Sequence, residues 1–273
     1  KQSSKAVIPQ FPQITTGVNS ENSADLKSVQ LNTAETKALL QDVPPVYNTQ
    51  INDILLAALT SAFAKWTGKR SLLLHLEGHG REEIIKKVDI SRTVGWFTSL
   101  YPVVLDISQS SDNKAAVVAV KEQLRGIPQN GIGFGILKYL SSDAEIKKQM
   151  QSVPSPEIVF NYLGQFQTEN AEQALFKPVS SYNVNERSLQ NTRNYKIEIS
   201  ASIKNETLTV DFLYSDKQFN GQTIQNLVEV YKSELEKLVQ FLLEGEGGSY
   251  TPSDFSDVDL DEDELSGLLD ELE

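Results

Sequence analysis

The chain has 273 residues with 39% apolar and 8% aromatic side chains, which suits one large globular domain or two small ones. No apolar run approaches the ~20 residues that span a bilayer, so we expect no membrane partner. The absence of cysteine excludes disulfides, thiolate zinc sites and a cysteine nucleophile, and the two histidines form no metal-binding pattern.

The net charge of −12 is concentrated at one end of the chain. Residues 251–273 hold ten acidic and no basic side chains, so the remainder carries a net charge of only −2. Phosphate binding needs clustered Lys and Arg, and we therefore expect no nucleic-acid partner. The polar start of the chain lacks the features of a secretory signal, which favours a cytoplasmic protein. Because the first residue is not Met, we expect a piece of a longer chain.

The first third of the chain predicts a lead-in, a strand and two helices. Residues 1–27 are rich in Ser, Asn, Gln and Thr, which predicts a linker or poorly ordered segment. A short strand is predicted at 28–32, and Thr33 is a candidate N-cap for a helix over 34–41. A stronger helix is predicted from residue 48 or 49 to residue 65, because its apolar residues recur at spacings of three and four.

The rest of the chain mixes strands and helices. Strands are predicted at 72–76, 103–107 and 158–163, and helices at about 112–125, 132–140 and 221–243. Residues 165–193 are polar and predict a long loop. Alternating apolar residues over 195–214 predict a β-hairpin around Asn205. This mixture indicates an α/β or α+β sandwich in which helices cover a mixed sheet.

The stretch from Leu72 to Pro102 is where we expect chemistry. An apolar strand runs into a charged turn flanked by glycines, and glycines let a backbone turn sharply and approach a ligand closely. Glu77 ends the apolar run, so its carboxylate would point from a strand end into the neighbouring space. A salt bridge from Glu77 to Arg81 or Arg92 is the structural alternative.

The same stretch carries a family resemblance. EGHGRE at 77–82 and SRTVGWFT at 91–98 are followed in order by KEQLRGIP at 121–128, GIGFG at 131–135 and FNYLGQF at 160–166. These motifs resemble the second half of an epimerization domain of a nonribosomal peptide synthetase, a branch of the condensation-domain superfamily. The resemblance covers residues 28–255. It implies one chloramphenicol-acetyltransferase-like lobe of the two that surround a tunnel in this superfamily.

The resemblance also implies a reaction and its residues. Epimerization removes a Cα proton from an aminoacyl or peptidyl thioester and returns it to the other face. The family's motifs imply a catalytic acid/base role for Glu77, with assistance from Asn161 and Tyr162; a hydrogen-bonded sheet residue and a core tyrosine are equally good alternatives for that pair. His75, inside the apolar run, is expected to pack, and His79 to orient the turn. We take the supporting residues to be those of the two motifs: Gly78, His79, Gly80, Arg81, Arg92 and Trp96.

Partners and cofactors follow from the same resemblance. No cofactor is expected to bind directly, because the substrate would be carried on the 4′-phosphopantetheine of a peptidyl carrier domain. The family's N-terminal lobe carries an HHxxxDG motif that is absent from these 273 residues. We therefore expect the chain alone to be inactive or nearly so and to need that missing lobe. A condensation domain that forms amide bonds, or a non-catalytic docking remnant, are the alternatives.

The tail predicts a separate element. We divide the chain into the lead-in at 1–27, the lobe at 28–249 and an acidic docking segment at 250–273. The sequence TPSDF followed by an acidic helix resembles a donor communication segment, which would bind the acceptor docking segment of the next synthetase subunit. A solvated acidic tail is the alternative. Four leucines at spacings of three and four would form the apolar face of the docking helix: Leu265, Leu268, Leu269 and Leu272.

Overall fold

A computed structural model describes residues 11–12, 17–82, 84, 87–166, 187–244, 250–255, 264–265 and 267. Its strands are β1 (Ala24–Gln30), β2 (Ser71–Gly78), β3 (Ser99–Asp106), β4 (Ile158–Phe166), β5 (Ile197–Lys204) and β6 (Thr207–Ser215). Its α-helices are α1 (Thr33–Lys37), α2 (Pro44–Tyr47), α3 (Ile51–Thr67), α4 (Asn113–Arg125), α5 (Ile132–Gly135), α6 (Ala144–Gln151) and α7 (Gly221–Glu244).

The six strands form one mixed sheet in the order β1-β6-β5-β4-β2-β3. The central pairs β2–β4 and β4–β5 are parallel, and the other pairs are antiparallel. Helices lie over this sheet, and α3 packs against α7. The predicted sandwich of helices on a mixed sheet is confirmed.

The two faces of the sheet differ in chemistry because strand side chains alternate between them. The helix-covered face is apolar and includes Leu74, Phe160 and Phe212, all in the buried core. The opposite face holds a polar row whose members are paired across four strands: Asn161 with Ser200, Ser200 with Asp211, and Asp211 with Ser28. The parallel pairing of β2 with β4 places Glu77 at the end of this row.

The N-terminal stretch is more ordered than predicted where the structure describes it. The Phe11 ring is buried and stacks on Trp66 with ring centroids 5.5 Å apart. Strand β1 begins at Ala24, four residues before the predicted start. Residues 24–27 therefore belong to β1 and not to a linker. The polar composition of residues 1–27 also conceals one buried aromatic anchor, Phe11.

The first predicted helix also differs. Asn32, not Thr33, is the N-cap. Its side chain accepts a hydrogen bond from the Glu35 N–H at 2.9 Å, and the Glu35 carboxylate accepts one from the Asn32 N–H. The helix is α-helical only as far as Lys37, and residues 38–42 continue as a π-helical segment.

Other element boundaries also differ from the prediction. Strand β4 continues to Phe166, so the predicted loop at 165–193 starts later, and residues 167–186 lie outside the described part of the chain. Helix α6 was not predicted; its N-cap Asp143 accepts the N–H groups of Glu145 and Ile146. The helix predicted at 132–140 is α-helical through Gly135 and π-helical after it.

The start of the predicted docking segment packs on the lobe. Thr251 is buried, and Asp254 forms an ion pair with Lys121 at 2.7 Å. Residues 251–255 therefore pack on the lobe, and the division of the chain at residue 250 stays a prediction. Of the four docking leucines, Leu265 is buried, and Leu268, Leu269 and Leu272 lie outside the described residues. No helix among the described residues is long and apolar enough to cross a membrane.

Candidate active site

Glu77 lies near the end of β2, where the strand opens onto a cleft of about 600 Å³. Its carboxylate is half-buried, and the Asn161 amide donates a hydrogen bond to Oε2 at 2.7 Å. Burial raises the pKa of Glu77, and the negative charge of Glu198 adds to that effect. A carboxylate with a raised pKa accepts a proton more readily, which suits a general base.

Arg81 does not form the salt bridge offered as the alternative role of Glu77. Its guanidinium donates to the carbonyls of Ile90 at 2.7 Å and Thr93 at 2.9 Å, and it lies 4.2 Å from the centre of the Phe97 ring. Arg92 is exposed. Arg81 therefore holds the loop after β2 in place, and Glu77 takes its hydrogen bond from Asn161.

The turn after Glu77 depends on His79 and two glycines. The Arg81 N–H donates to His79 Nδ1 at 3.0 Å, and the other ring nitrogen lies 3.4 Å from a Glu82 carboxylate oxygen. Gly80 has a φ of +65°, and a Cβ there would lie 1.6 Å from the Phe97 carbonyl oxygen. At Gly78 a Cβ would lie 2.9 Å from Ser99 Oγ. These contacts fix the direction in which the strand leaves Glu77.

Asn161 and Tyr162 are neighbours on β4 and occupy different surroundings. Asn161 contacts Glu77, whereas Tyr162 packs partly against the apolar core. Both residues line the cleft. Burial raises the pKa of the Tyr162 phenol, and the nearby Gln165 side chain opposes this increase. The phenol therefore keeps its proton at neutral pH and can donate it in a hydrogen bond.

His75 lies on β2 two residues before Glu77. Its Nδ1 is 2.9 Å from the Tyr195 hydroxyl, and the two rings meet edge to face. Burial, helped by the charge of Lys138, lowers the pKa of His75 to about 4, so the ring is neutral at pH 7. These contacts agree with the predicted packing role.

Sequence reasoning missed the pair that forms the far wall of the cleft. Arg125 donates to both carboxylate oxygens of Asp53, at 3.1 and 2.8 Å, and Asp53 is fully buried. Both residues line the cleft. Nearby, Asn52 Oδ1 is buried without a protein hydrogen-bond partner, and buried polar atoms usually have one. The sequence signals were the capping pattern at the start of α3, where Asp53 accepts the Gln50 N–H, and the motif at 121–128 that contains Arg125.

Trp96 is 91% exposed and Val94 is 99% exposed. Both lie on the loop between β2 and β3, beside the turn that follows Glu77. In the described part of the chain, no group of three or more His, Asp or Glu side chains could hold a metal ion.

Comparison with known proteins identifies the fold and the family. A family model described as "Condensation domain" matches residues 2–260. The chain belongs to the condensation-domain family. Gramicidin S synthase 1 of Brevibacillus brevis is 38% identical over 261 residues, covering 93% of this chain and 24% of that protein. Surfactin synthase subunit 2 of Bacillus subtilis (strain 168) is 43% identical over 244 residues, covering 89% and 7% respectively.

Solved structures of the condensation-domain superfamily give the same fold. The epimerization domain from the third module of tyrocidine synthetase B superposes with a TM-score of 0.80 at 33% identity, covering 88% of this chain and 53% of that one. A cyclization-docking bidomain of a nonribosomal peptide synthetase from Sorangium cellulosum gives a TM-score of 0.59 at 16% identity, covering 86% and 46%. The chain thus spans about half of these structures and a small fraction of its curated relatives.

Proposed function

We propose that this chain is the C-terminal lobe of an epimerization domain of a nonribosomal peptide synthetase. The reaction would convert a carrier-bound L-aminoacyl or peptidyl thioester to the D form. The observation that carries the proposal is the half-buried Glu77, with its raised pKa and its bond from Asn161, at the mouth of the cleft. The greater likeness to a solved epimerization domain than to a cyclization domain supports it.

Glu77 is the proton acceptor in this proposal. Its carboxylate takes the Cα proton, the C–H electron pair moves onto the thioester carbonyl, and an enolate forms. A proton delivered to the opposite face of Cα then gives the D product. The enolate needs shelter from water and donors near its oxygen. Tyr162 lines the cleft, and its hydroxyl is the donor that we assign to the enolate oxygen.

Asn161 positions the base. Its amide holds one oxygen of Glu77 at 2.7 Å, which leaves the other oxygen available to the substrate. A side-chain amide is neutral, so it orients the carboxylate without the strong pKa depression that an arginine would cause. The arrangement therefore combines a fixed geometry with a basic carboxylate.

This lobe does not supply the proton donor for the second face of Cα. The resemblance implies that the missing N-terminal lobe brings the HHxxxDG motif and closes the tunnel. The exposed Trp96 and Val94 beside the Glu77 turn provide apolar surface against which that lobe can pack. We therefore propose that the lobe alone has little or no activity and acts with a peptidyl carrier domain and the missing lobe.

Docking through the C-terminal tail completes the proposal. Beyond the ion-paired Asp254, residues 256–273 carry nine acidic side chains, which would attract a basic acceptor segment and speed encounter. Leu265 is buried, so Leu268, Leu269 and Leu272 of the predicted apolar stripe would supply contact area to the partner.

Exchange of the Cα proton tests the function. A carrier domain loaded with an L-aminoacyl group is placed in D₂O, and the mass of the bound group is followed with this lobe alone and with the N-terminal lobe added. We expect exchange only with both lobes, and a loss of about 10³-fold or more in Glu77→Gln, within the range for general-base removal. The matched control is Glu236→Gln on the exposed side of α7. With an aminoacyl-loaded acceptor carrier added as the amine, amide formation without exchange would instead favour a condensation domain.

A further inference from the structure

Residues 251–255, Thr-Pro-Ser-Asp-Phe, form a compact turn on the lobe. Asp254 accepts the Thr251 N–H at 2.9 Å and the Thr251 hydroxyl at 3.2 Å. The rings of Tyr250 and Phe255 lie 5.5 Å apart at the two ends of the turn. Ser253 donates to a Glu122 carboxylate oxygen on α4 at 2.6 Å. The turn therefore has a defined structure and a fixed place on α4.

The ion pair between Lys121 and Asp254 fixes this turn to the lobe. Their side chains are only 1% and 5% exposed. Burial alone would raise the pKa of Asp254, but hydrogen bonds from Lys121, the Thr251 N–H and Asn48 hold it below its usual value. A buried charge without its partner is strongly destabilising. Neither residue can therefore lose the other without local rearrangement.

Asp254 and Lys121 also hold the turn that precedes α3. The Asn48 amide donates to Asp254 Oδ1 at 2.7 Å, and Lys121 donates to the Tyr47 carbonyl at 3.2 Å. Asn48 has a φ of +49° and ends α2 in the left-handed region. Two residues later Gln50 reaches the wall of the Glu77 cleft, followed by Asn52. The turn of the tail thus touches the backbone from which that wall begins.

Helix α4 holds the same stretch a second time. Arg125 lies one helical turn after Lys121, on the same side of α4. It forms the paired bonds to the fully buried Asp53 in the cleft wall. The stretch from Tyr47 to Asp53 is therefore fixed at its start by Asp254 and Lys121 and at its end by Arg125.

We propose that residues 251–255 and Lys121 form a strap that positions the α3 side of the Glu77 cleft, so that the C-terminal tail and the cleft are conformationally coupled. The proposal rests on the proposed function of that cleft. Asp254, Lys121 and Asn48 are positioning residues, because they do not line the cleft themselves and would act through Gln50 and Asn52, which do.

Hydrogen exchange on the complete 273-residue chain tests the strap directly. In Asn48→Gly the left-handed backbone is retained, since glycine adopts positive φ freely, and only the bond to Asp254 is lost. We expect the amides of residues 47–53 to exchange about tenfold faster, because the turn would open locally without global unfolding. The control Glu236→Gln breaks an exposed ion pair on α7 and should leave these amides unchanged.

A second variant keeps the test valid if the buried charge proves essential for folding. Lys121→Met combined with Asp254→Leu replaces the ion pair by apolar groups, which often preserves stability. It still removes the bonds to Asn48 and Tyr47, so residues 47–53 should exchange faster although the melting temperature stays near that of the parent. Faster exchange confined to residues 250–255 in both variants would overturn the proposal.

A functional arm separates the strap from the identity of the base. In the two-lobe protein, Asn48→Gly should raise KM for the loaded carrier several-fold and change kcat little, whereas Glu77→Gln should abolish kcat. If amide exchange became faster but KM did not change, the strap would not influence how the cleft binds the loaded carrier, and that part of the proposal would be wrong. Retained Cα exchange in Glu77→Gln would overturn the proposed function while leaving the amide-exchange result to decide the strap.

Discussion

One face of the sheet packs the apolar core, and the other face carries the proposed catalytic base. The helix-covered face is built from apolar side chains such as Phe212, whose ring meets Tyr231 edge to face at 5.5 Å. The other face carries Glu77, Asn161 and the polar row that follows them across the sheet. One face thus gains free energy from burial, while the other keeps a carboxylate in surroundings that raise its pKa. Changes on the two faces should therefore have different signatures.

The largest effect on stability is expected at Phe212 on the helix-covered face. Phe212→Ala removes a fully buried ring and should lower the free energy of unfolding by about 3–5 kcal/mol, as for other buried aromatic truncations. Urea unfolding measures it. The matched change on the other face, Ser200→Ala, should cost about 0.5 kcal/mol or less. Equal losses at both positions would show that the two faces contribute alike.

A substitution at Gly80 tests the turn that follows β2, next to Glu77. Gly80→Ala would place a Cβ 1.6 Å from the Phe97 carbonyl oxygen at a positive φ, which we expect to cost about 1–3 kcal/mol of local strain. The melting temperature and the rate of Cα exchange in the two-lobe protein should both fall. Gly133→Ala is the control, since a Cβ there meets nothing within 4 Å. Equal effects of the two substitutions would contradict a special role for the turn.

A smaller effect, with the opposite sign, is expected for stability at Glu77. Its pKa is higher in the folded chain than in the unfolded chain, so above pH 4.5 the folded state keeps its proton to higher pH than the unfolded state does. Folding stability at Glu77 therefore decreases as pH rises through this window. Glu77→Gln should melt slightly higher than the parent at pH 7 and equally at pH 4, measured by calorimetry. A lower melting temperature at pH 7 would mean that the carboxylate is structural.

Much of the fold was predictable from local pattern. The alternation in β5 and β6 and the apolar periodicity of α3 and α7 depend on neighbouring residues, so the sequence predicts them directly. The short helix α6 was missed because only Ile146 and Met150 mark its apolar side within eight mostly polar residues. The stacking of Phe11 on Trp66 joins distant parts of the chain, and no local pattern reports it.

The residues of the candidate site were predictable in part, but their pairing in space was not. Glu77 stood out because it ends an apolar strand before a glycine-flanked turn, and its motif supplied the expected role. Its partner Asn161 is 84 residues away, and the wall pair of Asp53 and Arg125 is separated by 72. Lys121 and Asp254 are separated by 133 residues. Only the sheet register and the packing of α4 bring such residues together, and single-sequence reasoning has no access to either.

The pH dependence of Cα deuterium exchange tests the central claim most directly. In the two-lobe protein with a loaded carrier domain, the exchange rate should fall as pH decreases through a pKa higher than the 4.5 of an ordinary Glu. That step should move further upward in Asn161→Leu, because the bond that favours the charged carboxylate is lost, and exchange should vanish in Glu77→Gln. Exchange that persists in Glu77→Gln with an unchanged pH profile would contradict the account.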